Sequence, residues 1–148
     1  MGAWLLAPHR DAGAEVRWTG LVGAGLARKR PWNLRPDRIF FASDSDLLDF
    51  DPIHIRGSDN LSGAQGESGW WVIDYKTSHA AGTNLADAAE RERFLAAHRE
   101  QHVQQLAVYA EALRGLREGD GESTRRDTLK VRAGIFYPRL RLLDFWEV

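Results

Sequence analysis

The chain has 148 residues, 43% hydrophobic and 28% charged, the size and balance of one globular domain able to bury a core without covalent staples. It contains no cysteine, which excludes disulfides, thiolate zinc sites and iron–sulfur clusters, and a reducing cytoplasm is the expected location. The formal net charge of −1 excludes a global basic field, so any nucleic-acid contact must come from a local patch.

The opening segment, MGAWLLAPHRDAG, has too short an apolar run and no basic lead to be a signal peptide, and no stretch reaches membrane-spanning length. Residues 13–22 alternate loosely and predict a first strand, and 23–33, with glycines and Pro31, reads as a loop. The run DRIFFA, 37–42, predicts a second strand. Residues 43–69 are mostly Ser, Asp and Gly and are expected to form a long, mobile insertion. The segment WWVIDYKTS, 70–78, predicts a third strand. From Leu85 to Arg117 the period turns helical, with Val103, Leu106, Ala110 and Leu113 as an apolar stripe. The charged, Ala-rich part before it is either the same helix or a separate one. After the breaker at 118–124, residues 130–137 and 139–148 predict two closing strands. The chain carries no internal repeat, and the element order predicts one α/β domain over 1–148 with a mixed central sheet of about five strands flanked by helices.

In a strand, residues two apart share a face. Val72, Asp74 and Lys76 therefore point one way, and Trp71, Ile73 and Tyr75 the other, the side expected to pack on a helix layer. A carboxylate and an ammonium roughly 6–7 Å apart at the backbone can converge on one point. One reading is a partly buried ion pair, which contributes little net stability because desolvation offsets attraction. The other is chemistry: carboxylates are hard ligands for Mg²⁺, which lowers the pKa of water, and a lysine beside it can orient that water or offset charge on a phosphate. Asp37, opening the preceding strand, is the candidate second carboxylate, against a plain turn role after Pro36. His98 and His102, in HREQH, have zinc-like spacing, but Arg99 stands where a metalloprotease needs Glu; they are expected as polar helix surface or DNA-proximal groups. Basic residues cluster at 28–30, at Arg35 and Arg38, and at Arg125, Arg126, Lys130 and Arg132. They read as solvated surface or as a phosphate-contacting rim.

Asp37, Asp74 and Lys76 together resemble the PD-(D/E)XK nuclease superfamily. DRIF, then WWVIDYKTS, then QQLAVYAEAL and the closing RAGIFYPRLRLLDFWEV resemble the C-terminal nuclease domain of RecB/AddA-type helicase–nucleases over nearly the whole chain. That resemblance implies a restriction-endonuclease-like core and a Mg²⁺- or Mn²⁺-dependent DNA exonuclease acting in double-strand break repair and recombination. It implies Asp37, Asp74 and the Tyr75 carbonyl as metal ligands, and Lys76, Gln105 and Tyr109 as further catalytic groups. DNA and a helicase subunit or upstream helicase domain are the implied partners. The glycines of GLVGAGLARKR lack phosphate-loop spacing, so no ATP-driven motor is expected here. The family's upstream helical segment, with its metal-binding histidine, is not found, which leaves a non-catalytic DNA-binding or docking domain as the alternative.

Overall fold

The apolar runs of the sequence become the middle of one sheet. The computed structural model describes residues 3–22, 30–43, 54–56, 68–77, 82–119 and 130–148. The strands are β1 (Arg10–Ala14), β2 (Trp18–Val22), β3 (Arg30–Leu34), β4 (Arg38–Ser43), β5 (His54–Arg56), β6 (Ser68–Tyr75), β7 (Val131–Tyr137) and β8 (Leu142–Glu147). The helices are a single turn, α1 (Ala3–Leu6), and the long α2 (Ala88–Gly119). Six strands form a mixed sheet in the order β1-β4-β6-β7-β8-β5, and β2 and β3 form a separate two-stranded ribbon. β4 runs antiparallel to β6, β6 parallel to β7, β7 antiparallel to β8, and β5 parallel to β8. The fold is mixed α/β.

β6 and β7 are buried along almost their whole length, as expected for central parallel strands covered on both faces. The parallel step from β6 to β7 requires a crossover, and α2 supplies it as one continuous helix of 32 residues. Asp87 caps its start: Oδ1 accepts from the amides of Ala89 (2.8 Å) and Glu90 (3.0 Å), while the Glu90 carboxylate reaches back to Asn84 N at 2.6 Å. These bonds hold the Asp87 carboxyl below its ordinary value. Leu95, Leu106, Ala110 and Leu113 bury against Trp70, Val72, Val131, Ala133 and Ile135, each large side chain contributing about 1.5–3 kcal/mol.

Several expectations change. The single strand over 13–22 is two strands: Glu15 takes φ 49°, the chain turns, β1 joins the main sheet and β2 the ribbon. Part of the expected loop 23–33 is β3, where Pro31 sits opposite Leu21 in a ribbon that has no third strand among the described residues, a place that tolerates a missing N–H. Within 43–69, residues 54–56 form β5 against β8; most of that segment lies outside the described residues. The expected helix-packing face of β6 is the wrong one. α2 covers the Trp70, Val72 side, whereas Trp71 and Ile73 pack with Leu5 of α1, Phe40, Phe136, Leu143 and Phe145. Both faces of β6 are apolar, so alternation does not say which receives the crossover helix. Val103 is 37% exposed, and the seam of α2 that meets the sheet instead runs through Leu95, His98, His102, Leu106 and Tyr109.

Candidate active site

The C-terminal end of β6 gathers the polar residues. Asp74 is 6% exposed and Lys76 follows it on the same face; Lys76 Nζ lies 2.6 Å from Asp74 Oδ2. The approach is a charge contact outside hydrogen-bond geometry, so this buried oxygen has no hydrogen-bond partner among the described residues. The ammonium does not fill the carboxylate's acceptor capacity.

Asp37 arrives from the neighbouring strand. The β4–β6 register pairs Arg38 with Ile73, and one step further sets Asp37 opposite Asp74. Asp37 Oδ2 accepts the Tyr75 amide at 2.7 Å, and the Asp37 carbonyl accepts from Glu15 N at 2.8 Å. The amides of Trp70 and Lys76 donate to β7, so that of Tyr75, odd-numbered on the same strand, faces β4 together with its carbonyl. The ladder ends at Arg38 opposite Ile73, and Pro36, just before it, has no N–H to offer β6. The Tyr75 side chain points to the other face, and burial raises the pKa of its hydroxyl, with Arg38 opposing and Asp37 reinforcing.

The helix closes the site from above. Gln105 Nε2 donates to the Tyr109 hydroxyl at 2.8 Å, and that hydroxyl reaches the Arg35 carbonyl at 3.5 Å, two residues before Asp37. Tyr109 is buried in the core while Gln105 stays exposed, so this pair braces the segment leading into β4. His98 and His102 lie one turn apart, both half-buried, with the Gln105 side chain next to His102. Burial lowers both imidazole pKa values. His102 and Lys76 add to the effect at His98; at His102 Lys76 adds, while Asp74 and Gln105 oppose. The sequence suggests polar helix surface or DNA-proximal groups for these histidines; the structure half-buries them on the side of α2 that meets the sheet. Their spacing with Leu95, Leu106 and Tyr109 along one helical face was the signal that they meet the sheet.

Beneath His98 stands Tyr137 on β7, its ring 5.5 Å from the imidazole. Burial, with Asp144 and Asp74 nearby, pushes its hydroxyl far up. Asp144 on β8 lies in the same cross-strand row as Asp74, with Ile135 between them. Arg99 grips it through two nitrogens, one at 3.0 Å, and also stacks over Trp146 at 4.6 Å. Burial raises the Asp144 pKa and Arg99 opposes it. This clamp ties α2 to β8 and so helps set the rotation that turns His98 and His102 toward Lys76.

Among the described residues no group of three or more His, Asp or Glu side chains is arranged to hold a metal ion. The oxygen donors at this end of the sheet are the Asp37 and Asp74 carboxylates and the Tyr75 carbonyl. Mg²⁺ keeps several waters and takes one or two carboxylates, so these residues fit it. They do not fit structural zinc, which wants four nitrogen or sulfur ligands. No helix among the described residues is long and apolar enough to cross a membrane. Comparison with protein-family models, with curated proteins and with solved structures finds no match to this chain.

Proposed function

We propose that the chain is a Mg²⁺-dependent DNA nuclease that hydrolyses phosphodiester bonds. The observation that carries this reading is the β4–β6 register, which sets Asp37 opposite Asp74 with Lys76 beside them. The mixed sheet, with α2 in the crossover from β6 to parallel β7, supports a restriction-endonuclease-like core. The PD-(D/E)XK resemblance supports the same assignment, with DNA as substrate and a helicase as partner in break repair.

Asp37, Asp74 and the Tyr75 carbonyl would hold the ion. Bound there, Mg²⁺ supplies positive charge that makes water a competent nucleophile near neutral pH and offsets the charge of the phosphate. Lys76, a quarter exposed, donates to the attacking water or to a non-bridging phosphate oxygen as negative charge grows on it. The buried Asp74 carboxylate holds the ammonium in place. Water oxygen forms the new bond to phosphorus, and the bond to the leaving sugar oxygen breaks. Gln105 and Tyr109 keep the Arg35–Asp37 segment in register, so that the first carboxylate stays opposite the second.

The test is cleavage of DNA by the purified chain with Mg²⁺ or Mn²⁺. Asp74→Ala and Lys76→Ala are expected to abolish cleavage while circular dichroism shows a folded protein. Equal cleavage by wild type and both variants refutes the reading. A silent Mg²⁺ titration with DNA binding retained favours a non-catalytic DNA-binding or docking role.

A further inference from the structure

Three polar atoms beside the site are shut off from solvent and have no hydrogen-bond partner among the described residues: Asp74 Oδ2, His98 Nδ1 and the Tyr137 hydroxyl. A buried polar atom left dry costs stability, and native structures supply its partner from the protein or from ordered water. Phenylalanine would fill the Tyr137 position without that cost, so packing alone does not account for the hydroxyl.

The fold brings the three to one place. Asp74 pairs with Ile135, and Tyr137 stands two residues further along β7, on the same face of the sheet and under α2. It is therefore one strand, about 4.8 Å, across from Asp74 and about 6.6 Å along. His98 comes down from α2, its imidazole 5.5 Å from the Tyr137 ring. Phe94 packs on both rings, 4.2 Å from His98 and 5.5 Å from Tyr137. The electrostatics register the same proximity: the Asp74 charge acts on the Tyr137 hydroxyl, and that of Lys76 on His98. Asp144, the other carboxylate near Tyr137, has both oxygens held by Arg99, so Asp74 Oδ2 is the open acceptor.

The count of donors and acceptors closes with one water, which when buried makes about three hydrogen bonds. The Tyr137 hydroxyl, kept protonated by burial, donates to it. The Asp74 carboxylate accepts one of its hydrogens. His98, which burial keeps neutral, accepts the other at Nδ1 with its own proton on Nε2.

We propose that Tyr137 and His98 are positioning residues for Asp74: with Asp74 Oδ2 they hold one buried water between the sheet and α2, and that water fixes the rotation of the carboxylate. The consequence for Mg²⁺ rests on the nuclease reading; the shared water does not.

The network is tested on the full chain by urea denaturation in EDTA, as a double-mutant cycle. Tyr137→Phe is expected to lower the urea midpoint in the wild-type background, and to lower it less, or raise it, in His98→Leu. In His98→Asn, whose amide keeps a polar atom near the place of Nδ1, the fall should return. A Tyr137→Phe midpoint at or above that of wild type overturns the proposal, since a dry, idle hydroxyl costs stability that phenylalanine restores. An equal fall in the wild-type and His98→Leu backgrounds overturns it as well. Calorimetric titration with Mg²⁺ tests the positioning. Tyr137→Phe should weaken binding about 10–100-fold, the usual loss when a group behind a metal ligand is removed, and unchanged affinity overturns that role. Coupled midpoints in a chain that takes up no Mg²⁺ and cleaves nothing would leave the network standing without the nuclease. Uncoupled midpoints beside loss of cleavage in Asp74→Ala would leave the nuclease standing without the network.

Discussion

Asp37 carries two loads, and substitution can separate them. Its Oδ2 accepts the Tyr75 amide at 2.7 Å, a bond to an ionised acceptor in a part-buried setting. Asp37→Ala removes that acceptor, and the β4–β6 ladder, which ends at Arg38 opposite Ile73, provides no backbone carbonyl in its place. An orphaned donor of this kind costs about 1–3 kcal/mol. For a domain of this size that lowers the melting temperature by about 2–4 °C per kcal/mol. Asp37→Asn keeps an amide oxygen at the same place, and a neutral bond is roughly half as strong as a charge-assisted one, so its cost stays below about 1 kcal/mol. The carboxylate charge is absent from both. Urea denaturation should therefore rank wild type, Asn and Ala in falling stability. Calorimetric titration with Mg²⁺ and DNA cleavage should show Asn and Ala alike, both defective. If Asp37→Ala unfolds at the wild-type urea midpoint, the bond to Tyr75 is not holding the site. If Asp37→Asn takes up Mg²⁺ as wild type does, Asp37 is not a ligand.

Lys76→Ala should destabilise the fold as well as stop cleavage, because it leaves the buried Asp74 carboxylate uncompensated, a loss of about 3–5 kcal/mol for buried pairs; the double variant Asp74→Val with Lys76→Met should unfold at a higher urea concentration than Lys76→Ala while remaining inactive. His98 and His102 have folded pKa values below the ordinary 6.5, so the unfolded chain binds more protons and stability should fall as pH drops through the window below 6.5. Urea midpoints across that window should show a shallower fall in His98→Gln with His102→Gln, and an identical slope would refute the assignment. Gly134→Ala should cost about 1–3 kcal/mol, since an added Cβ would stand 2.9 Å from Ile73 Cδ1 and 3.3 Å from both the Asp144 carbonyl and Phe145 Cβ; thermal melting measures it.

The strands at the centre were legible from composition and period alone. WWVIDY, KVRAGIFY and RIFFA are too apolar and too rich in β-branched and aromatic residues to be anything but buried strands. The shared face of Asp74 and Lys76 followed from the two-residue repeat, and a helix from the spacing of Leu106, Ala110 and Leu113; that it continues unbroken back to Ala88 is shown by the structure. The break at Glu15 was not legible, because a positive φ at a residue other than glycine is imposed by what the chain must reach on either side. Nor was β5, three residues whose only claim to be a strand is the edge of β8.

The site divides along the same line. The two-residue repeat proposed Asp74 and Lys76, adjacency of consecutive strands proposed Asp37, and the resemblance to helicase–nuclease domains proposed Gln105 and Tyr109. Tertiary structure decided which face of β6 lies under α2, a matter of crossover topology that alternation cannot express on a strand apolar on both sides. From that followed the burial of Asp74, the seating of His98 and His102 against Lys76, and the Arg99–Asp144 clamp between α2 and β8. Each joins residues far apart in the chain, and register and crossover, not local propensity, bring them together.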